Sequence, residues 1–150
     1  MHIKTITAVL FALLLAACNP MAQLDGATEE IERFHSTYNQ GDARALYGQT
    51  GQEFRDVTAP EDMDALIEHV TEFMGKMEST SREGFNINTN NGMTTTVVTM
   101  KTVFEKGEAI ETFTFRGQGE DLRLVGWNVD SPNFMVEPAT DSAPEPAEAE

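Results

Sequence analysis

The hydrophobic periodicity of this chain changes once, close to Ser79, and this change limits the folds that the chain can form. Before it, apolar residues recur at helical steps of three and four; the longest such run contains Met63, Leu66, Ile67, Val70, Phe73, Met74 and Met77. After it, the residues alternate with a period of two and are rich in Thr and Val, which favours strands. This order predicts an α+β fold in which N-terminal helices pack on a curved antiparallel sheet.

Turn and cap residues divide the helical half into three predicted helices. Thr28 can cap the first helix, which ends at Gly41, and Asp42 can cap a short second helix. Thr58 and Pro60 mark the start of the third helix, because proline is favoured in a first turn.

Four strands are predicted in the second half, over residues 84–89, 94–105, 109–116 and 122–130. Asn91-Gly92 is a strong signal for the tight turn of a hairpin. Alternation places residues 111, 113 and 115 on one face of the third strand, and Val125, Trp127 and Val129 on one side of the fourth.

The N-terminus has the features of an export signal. Lys4 precedes an apolar run over residues 6–17 that is too short to span a bilayer. The run closes on Leu15-Ala16-Ala17-Cys18, which resembles the lipobox of bacterial lipoproteins. The resemblance implies a signal peptide over residues 1–17, cleavage before Cys18, and acylation of that cysteine by fatty acids such as palmitate. Asn19 is not the inner-membrane retention aspartate of such lipoproteins, so in a host with two membranes we expect attachment to the outer membrane, facing the periplasm.

Composition sets the remaining boundaries and excludes some partners. Residues 18–26 are predicted to be a tether, residues 27–136 a single domain, and residues 137–150 a disordered acidic tail rich in Pro, Ala and Glu. A net charge of -15 argues against nucleic acid as a partner, because phosphate binding needs clustered Lys and Arg. The single cysteine excludes an intramolecular disulfide.

Several segments within residues 27–134 resemble the nuclear-transport-factor-2-like superfamily. They are Tyr38-Asn39-Gln40-Gly41-Asp42, Leu46-Tyr47, residues 111–115 and residues 122–129. The resemblance implies a cone-shaped α+β domain, as in small exported bacterial proteins of unknown function. The superfamily includes ketosteroid isomerase, dehydratases, polyketide cyclases and noncatalytic binding modules, so the resemblance leaves the function open.

In the enzymes of this superfamily the interior of the cone holds an Asp or His base together with a Tyr or a second acid. The residues that could line such a pocket are His35, Tyr38, Tyr47, Asp56 and Trp127. No two of them have a spacing that matches a catalytic pattern, so no catalytic residue, metal site or cofactor is assigned. Packing in the core is the favoured role for Tyr38 and Trp127, and a position at the core edge is favoured for His35.

The sequence therefore favours a noncatalytic, lipid-anchored protein of the cell envelope that binds a small molecule or a protein partner through its domain. Two alternatives stay open. One is an enzyme of the ketosteroid isomerase or dehydratase type with an acid-base pair in its pocket. The other is a structural subunit that forms a homodimer through its sheet.

Overall fold

The computed structural model describes residues 20–135, in which four helices precede four strands. The helices are α1 (Pro20–Asn39), α2 (Ala43–Gln49), α3 (Gln52–Arg55) and α4 (Pro60–Met74). The strands are β1 (Met77–Asn90), β2 (Met93–Phe104), β3 (Gly107–Arg116) and β4 (Arg123–Asp130). One short 3-10 turn, Gly119–Asp121, lies between β3 and β4, and another, Pro132–Met135, follows β4. This order confirms the α+β prediction.

The strands form one curved, open sheet in which each strand pairs antiparallel with the next, in the order β1-β2-β3-β4. Asn91 and Gly92 both have positive φ, 51° and 79°, as the predicted hairpin turn requires. The first strand is longer than residues 84–89, because its N-terminal half pairs with β2 although it carries few large apolar residues.

Residues 20–28 belong to helix α1, so the predicted helix cap at Thr28 is wrong, and residues 20–26 of the predicted tether are helical. Leu24 and Ala27 are buried, and this packing stabilises two helical turns before Thr28. The Thr28 hydroxyl donates to the carbonyl of Leu24 within the helix instead of capping it. The other two predicted starts are confirmed: the Asp42 side chain accepts a hydrogen bond from the Ala45 amide, and Pro60 opens α4.

The core lies between the helices and the inner face of the sheet. Its side chains come from every helix and from β2, β3 and β4; the largest fully buried apolar ones are Phe34, Phe113, Phe115, Leu24, Ile31, Leu46, Met63 and Met74. Leu66 was predicted to belong to the apolar stripe of α4, but it is 37% exposed. The buried residues of this helix are Met63, Ile67, Val70 and Met74, so the stripe that faces the core is narrower than the predicted one.

A bulge in β4 changes which of its residues face the core. Thr114 pairs with Gly126, but the next residue, Phe115, pairs with Leu124, so Val125 is left as the extra residue. Trp127 and Val129 pack on the core as predicted, whereas Leu124 is buried in place of Val125.

The predicted signal peptide over residues 1–17, the lipidation residue Cys18 and the tail over residues 137–150 lie outside the described residues. Within residues 20–135, no helix is both long enough and apolar enough to cross a bilayer.

Candidate functional site

A carboxylate lies in the middle of the core. Glu111 belongs to β3, where the alternation with Phe113 and Phe115 turns its side chain inward, and the residue is 0% exposed. Its Oε2 accepts hydrogen bonds from His35 Nε2 at 2.8 Å and from the Thr102 hydroxyl at 2.5 Å. Its Oε1 accepts a hydrogen bond from the Trp127 indole N–H at 2.9 Å. Both oxygens are therefore bonded, as a buried carboxylate requires.

The hydrogen bonds extend across the whole sheet. The Thr80 and Thr102 hydroxyl oxygens are 2.9 Å apart. Because the single hydroxyl proton of Thr102 points to Glu111, Thr80 is the donor in this pair. We call the connected set Thr80, Thr102, Glu111, Trp127 and His35 the buried belt. Its members come from all four strands and from α1, so the belt joins the helix to every strand.

His35 has one ring nitrogen bonded and one without a partner. The residue is 2% exposed, and the ring centres of Phe34 and Phe113 lie 6.2 and 5.6 Å from its own. Nε2 faces Glu111, whereas nothing in the described part of the chain forms a hydrogen bond with Nδ1. The helical spacing that buries Ile31 and Tyr38 also buries His35, one turn after Ile31, so the imidazole is fully inside and not at the core edge.

Tyr38 packs in the core near the belt but is not part of it. Its hydroxyl donates to the Gly75 carbonyl at 2.7 Å and accepts a hydrogen bond from Thr71 at 3.3 Å. Burial raises the pKa of the Tyr38 phenol; the hydrogen bond with Thr71 opposes this rise, and the negative charges of Glu111 and Glu105 add to it. Tyr38 is therefore held in its neutral form.

The remaining two candidates lie elsewhere. The Tyr47 hydroxyl donates to the Thr58 carbonyl at 3.0 Å, at the edge of the core. Asp56 is exposed and accepts a hydrogen bond from the Gln52 side chain at 2.7 Å, just after α3. Of the five predicted residues, the structure brings His35 and Trp127 together on Glu111.

Sequence reasoning missed Glu111 and Thr102 as site residues, although a signal for Glu111 was present. A carboxylate at the inward position of a strand, in line with two phenylalanines, is rarely buried unless it is paired. Thr102 carried no comparable signal, because threonine is common on both faces of strands.

Three clefts lined by residues of the described range lie away from the belt. None of these three is lined by His35 or Glu111. The outer face of the sheet, opposite the helices, carries a cleft of about 590 Å³. Its lining residues, which we call the outer cleft, are Asn86, Asn88, Asn90, Asn91, Met93, Thr95 and Arg116. Asn86, Asn88 and Asn90 recur with the two-residue period of β1, so their side chains share the outer face.

The outer cleft offers amide groups and one guanidinium. Each Asn side chain presents both a hydrogen-bond donor and an acceptor. Arg116 is 42% exposed, with its Nε 3.3 Å from Glu53. Such a surface can bind polar groups, but it has no base shielded from water.

The described residues offer no site for a metal ion. No group of three His, Cys, Asp or Glu within residues 20–135 is arranged to hold one.

Comparison with models of known protein families and with curated proteins finds no match.

Proposed function

We propose that this protein is a lipid-anchored, noncatalytic protein of the cell envelope that binds a small molecule or a protein partner through the outer face of its sheet. The carrying observation is the closure of the interior. The acid-base pair in the core of residues 20–135, His35 and Glu111, is 2% and 0% exposed, and both carboxylate oxygens of Glu111 are already bonded. A general base must lie within hydrogen-bond reach of its substrate, and this pair offers no such access.

Closure of the interior has a direct chemical test. Diethyl pyrocarbonate acylates accessible imidazoles, and His69 is exposed on α4 while His35 is buried. We expect mass spectrometry to find His69 modified and His35 unmodified in the folded protein, with both modified in urea. Modification of His35 at the rate of His69 would show that the interior opens, which would contradict the proposal.

One observation favours an enzyme as the second candidate. His35 Nδ1 is a buried nitrogen without a partner, and such groups are rare unless they serve a ligand or a reaction. An enzyme that uses the pair should turn over a member of a ketosteroid and hydroxy-acid panel. Glu111→Gln should abolish that turnover, and Glu108→Gln, on the exposed side of the same strand, should preserve it. No turnover by the wild-type protein would count against this candidate.

Lipid attachment is tested independently of binding. Cells that express the full chain are labelled with radioactive palmitate, and the wild type is compared with Cys18→Ser. We expect label in the wild type only, and an uncleaved precursor for the variant. Label on Cys18→Ser would exclude Cys18 as the attachment site.

A third function, a structural subunit that dimerises through its sheet, has support from the outer face. Val97, Val103 and Ile110 lie there, and Ile110 is 36% exposed. Sedimentation at high protein concentration distinguishes dimerisation through this face from binding of another partner there. A dimer that Val97→Arg dissociates would favour the structural subunit, whereas a monomer would leave the outer face free for another partner.

We further propose that the domain belongs to the nuclear-transport-factor-2-like superfamily. The support is the helices-first order and the curved, open four-stranded meander, which are compatible with a cone. An experimental structure in which the sheet is flat, or in which the helices cover both faces, would contradict this assignment.

A further inference from the structure

The first turns of α1 are fixed to the sheet. The Gln23 side chain donates to the Thr96 hydroxyl and to the Gly117 carbonyl, both at 3.0 Å. Leu24 and Ala27 are 1% and 0% exposed. The helix therefore has side-chain contacts with the domain within one turn of Pro20, so this segment cannot act as a flexible spacer.

The chain between the expected lipid attachment point and this helix is very short. Cys18 and Pro20 are two residues apart, and two extended residues span at most about 7 Å. Each polar headgroup layer of a bilayer is roughly 5–8 Å thick. If acyl chains on Cys18 enter the bilayer, the start of α1 lies at the membrane surface.

The contacts of α1 also show which end of the sheet lies beside its start. Gln23 contacts Thr96 near the beginning of β2, whereas His35, three turns later, lies next to Thr102. Helix α1 therefore runs in the same direction as β2, and its start lies at the end with the β1–β2 hairpin and the β3–β4 turn. The turn between β2 and β3, at Lys106, is at the opposite end. The ten residues of β3 separate the two ends by about 30 Å.

We call the first of these ends the hairpin end, defined by Met21, residues 91–93 and residues 118–121. It contains a cleft of about 400 Å³ between the hairpin and the β3–β4 turn. Two methionine side chains are exposed there, Met21 at 54% and Met93 at 49%. Flexible apolar side chains of this kind suit the boundary between headgroups and acyl chains.

We propose that the hairpin end rests on the membrane, with the strands standing upright and the β2–β3 turn pointing away from the lipid. The inference depends on the proposed acylation of Cys18. The hairpin end contacts the zwitterionic headgroup layer of the bilayer. Glu120 and Asp121 are at this end and the chain carries a net charge of -15, so anionic lipid would repel it.

The experiment measures the distance of each end from the lipid. The full-length acylated protein is placed in phosphatidylcholine vesicles that contain a lipid with a nitroxide on its headgroup. A fluorophore is attached either at Glu120→Cys or at Lys106→Cys, two exposed turn positions, while the acylated Cys18 cannot react. We expect the label at position 120 to lose most of its fluorescence and the label at position 106 to keep it.

A spacer variant is the matched control. About ten Gly and Ser residues inserted between Asn19 and Pro20 add a flexible chain of roughly 17 Å. We expect this spacer to remove the difference between the two labels. Equal quenching at both positions of the protein without the spacer, or no quenching at either, would overturn the orientation. Failure of the wild type to incorporate palmitate or to attach to vesicles would instead overturn the proposed lipidation.

Discussion

Replacing Glu111 tests whether the buried belt holds the domain together. In Glu111→Ala, the donors on His35, Thr102 and Trp127 lose their acceptor inside the core. Each unsatisfied buried donor costs about 1–3 kcal/mol. Three donors lose their acceptor, and Trp127 is only partly buried, so we expect a loss of about 4 kcal/mol, near the lower end of the summed range. That is a large part of the roughly 5–15 kcal/mol by which such domains are stable.

Glu111→Gln removes the negative charge of the side chain but keeps its shape. Glutamine keeps the volume and can still accept from Trp127, but its amide N–H groups then face His35 and Thr102. His35 can accept only if its proton moves to Nδ1, where the described chain supplies no acceptor. We therefore expect a smaller loss of about 1–3 kcal/mol.

Urea unfolding followed by tryptophan fluorescence is a suitable assay, because the chain has a single tryptophan, Trp127, and its indole belongs to the belt. With a slope of about 2 kcal/mol per molar urea, the Glu111→Ala midpoint should fall by about 2 M. Glu108→Ala is the control: its partner Lys101 is 3.1 Å away, and both side chains are largely exposed, so the loss should be about 0–1 kcal/mol. Equal midpoints for the two variants would refute the structural role of the belt.

Two further predictions concern single buried contacts. Folding raises the pKa of Tyr38, so the stability that its neutral phenol contributes is complete below the unfolded pKa of about 10 and is lost as pH rises above it. Tyr38→Phe should therefore lose less stability than the wild type between neutral pH and pH ~11 in urea titrations, and an equal loss in the two proteins would contradict this reasoning. Gly117 and Gly92 both have positive φ, but an added Cβ at position 117 would lie 2.3 Å from the Asp121 carbonyl oxygen, whereas position 92 is open. Gly117→Ala should thus lower the thermal midpoint by clearly more than Gly92→Ala, which should cost about 1 kcal/mol; equal shifts would show that the β3–β4 turn adjusts freely.

Local signals predicted most of the elements. The Asn91-Gly92 turn and the start at Pro60 depend on backbone preferences of a few adjacent residues, so the sequence is sufficient for them. The start of α1 and the first half of β1 depend on distant partners. Residues 20–28 are helical because Leu24 and Ala27 are buried in the core, and residues 77–83 are extended because β2 pairs with them.

The candidate site could also be predicted only in part. His35 and Trp127 could be named from the sequence because few residue types carry acid-base groups or an indole. Nothing in their sequence positions indicated that both bind the same carboxylate. Their shared contact with Glu111 depends on the register of three strands and on the position of α1 along the sheet.

The sequence alone determined the class of the fold, the hairpin turn and the inward alternation of β3, because these follow from spacing and from local backbone preference. Tertiary structure decided that Glu111 is bonded at both oxygens, that the described clefts lie on the opposite side of the sheet from the helices or at its ends, and that residues 20–28 are helical. The physical reason is that a hydrogen bond between residues 76 positions apart, as between His35 and Glu111, exists only after packing has brought them together.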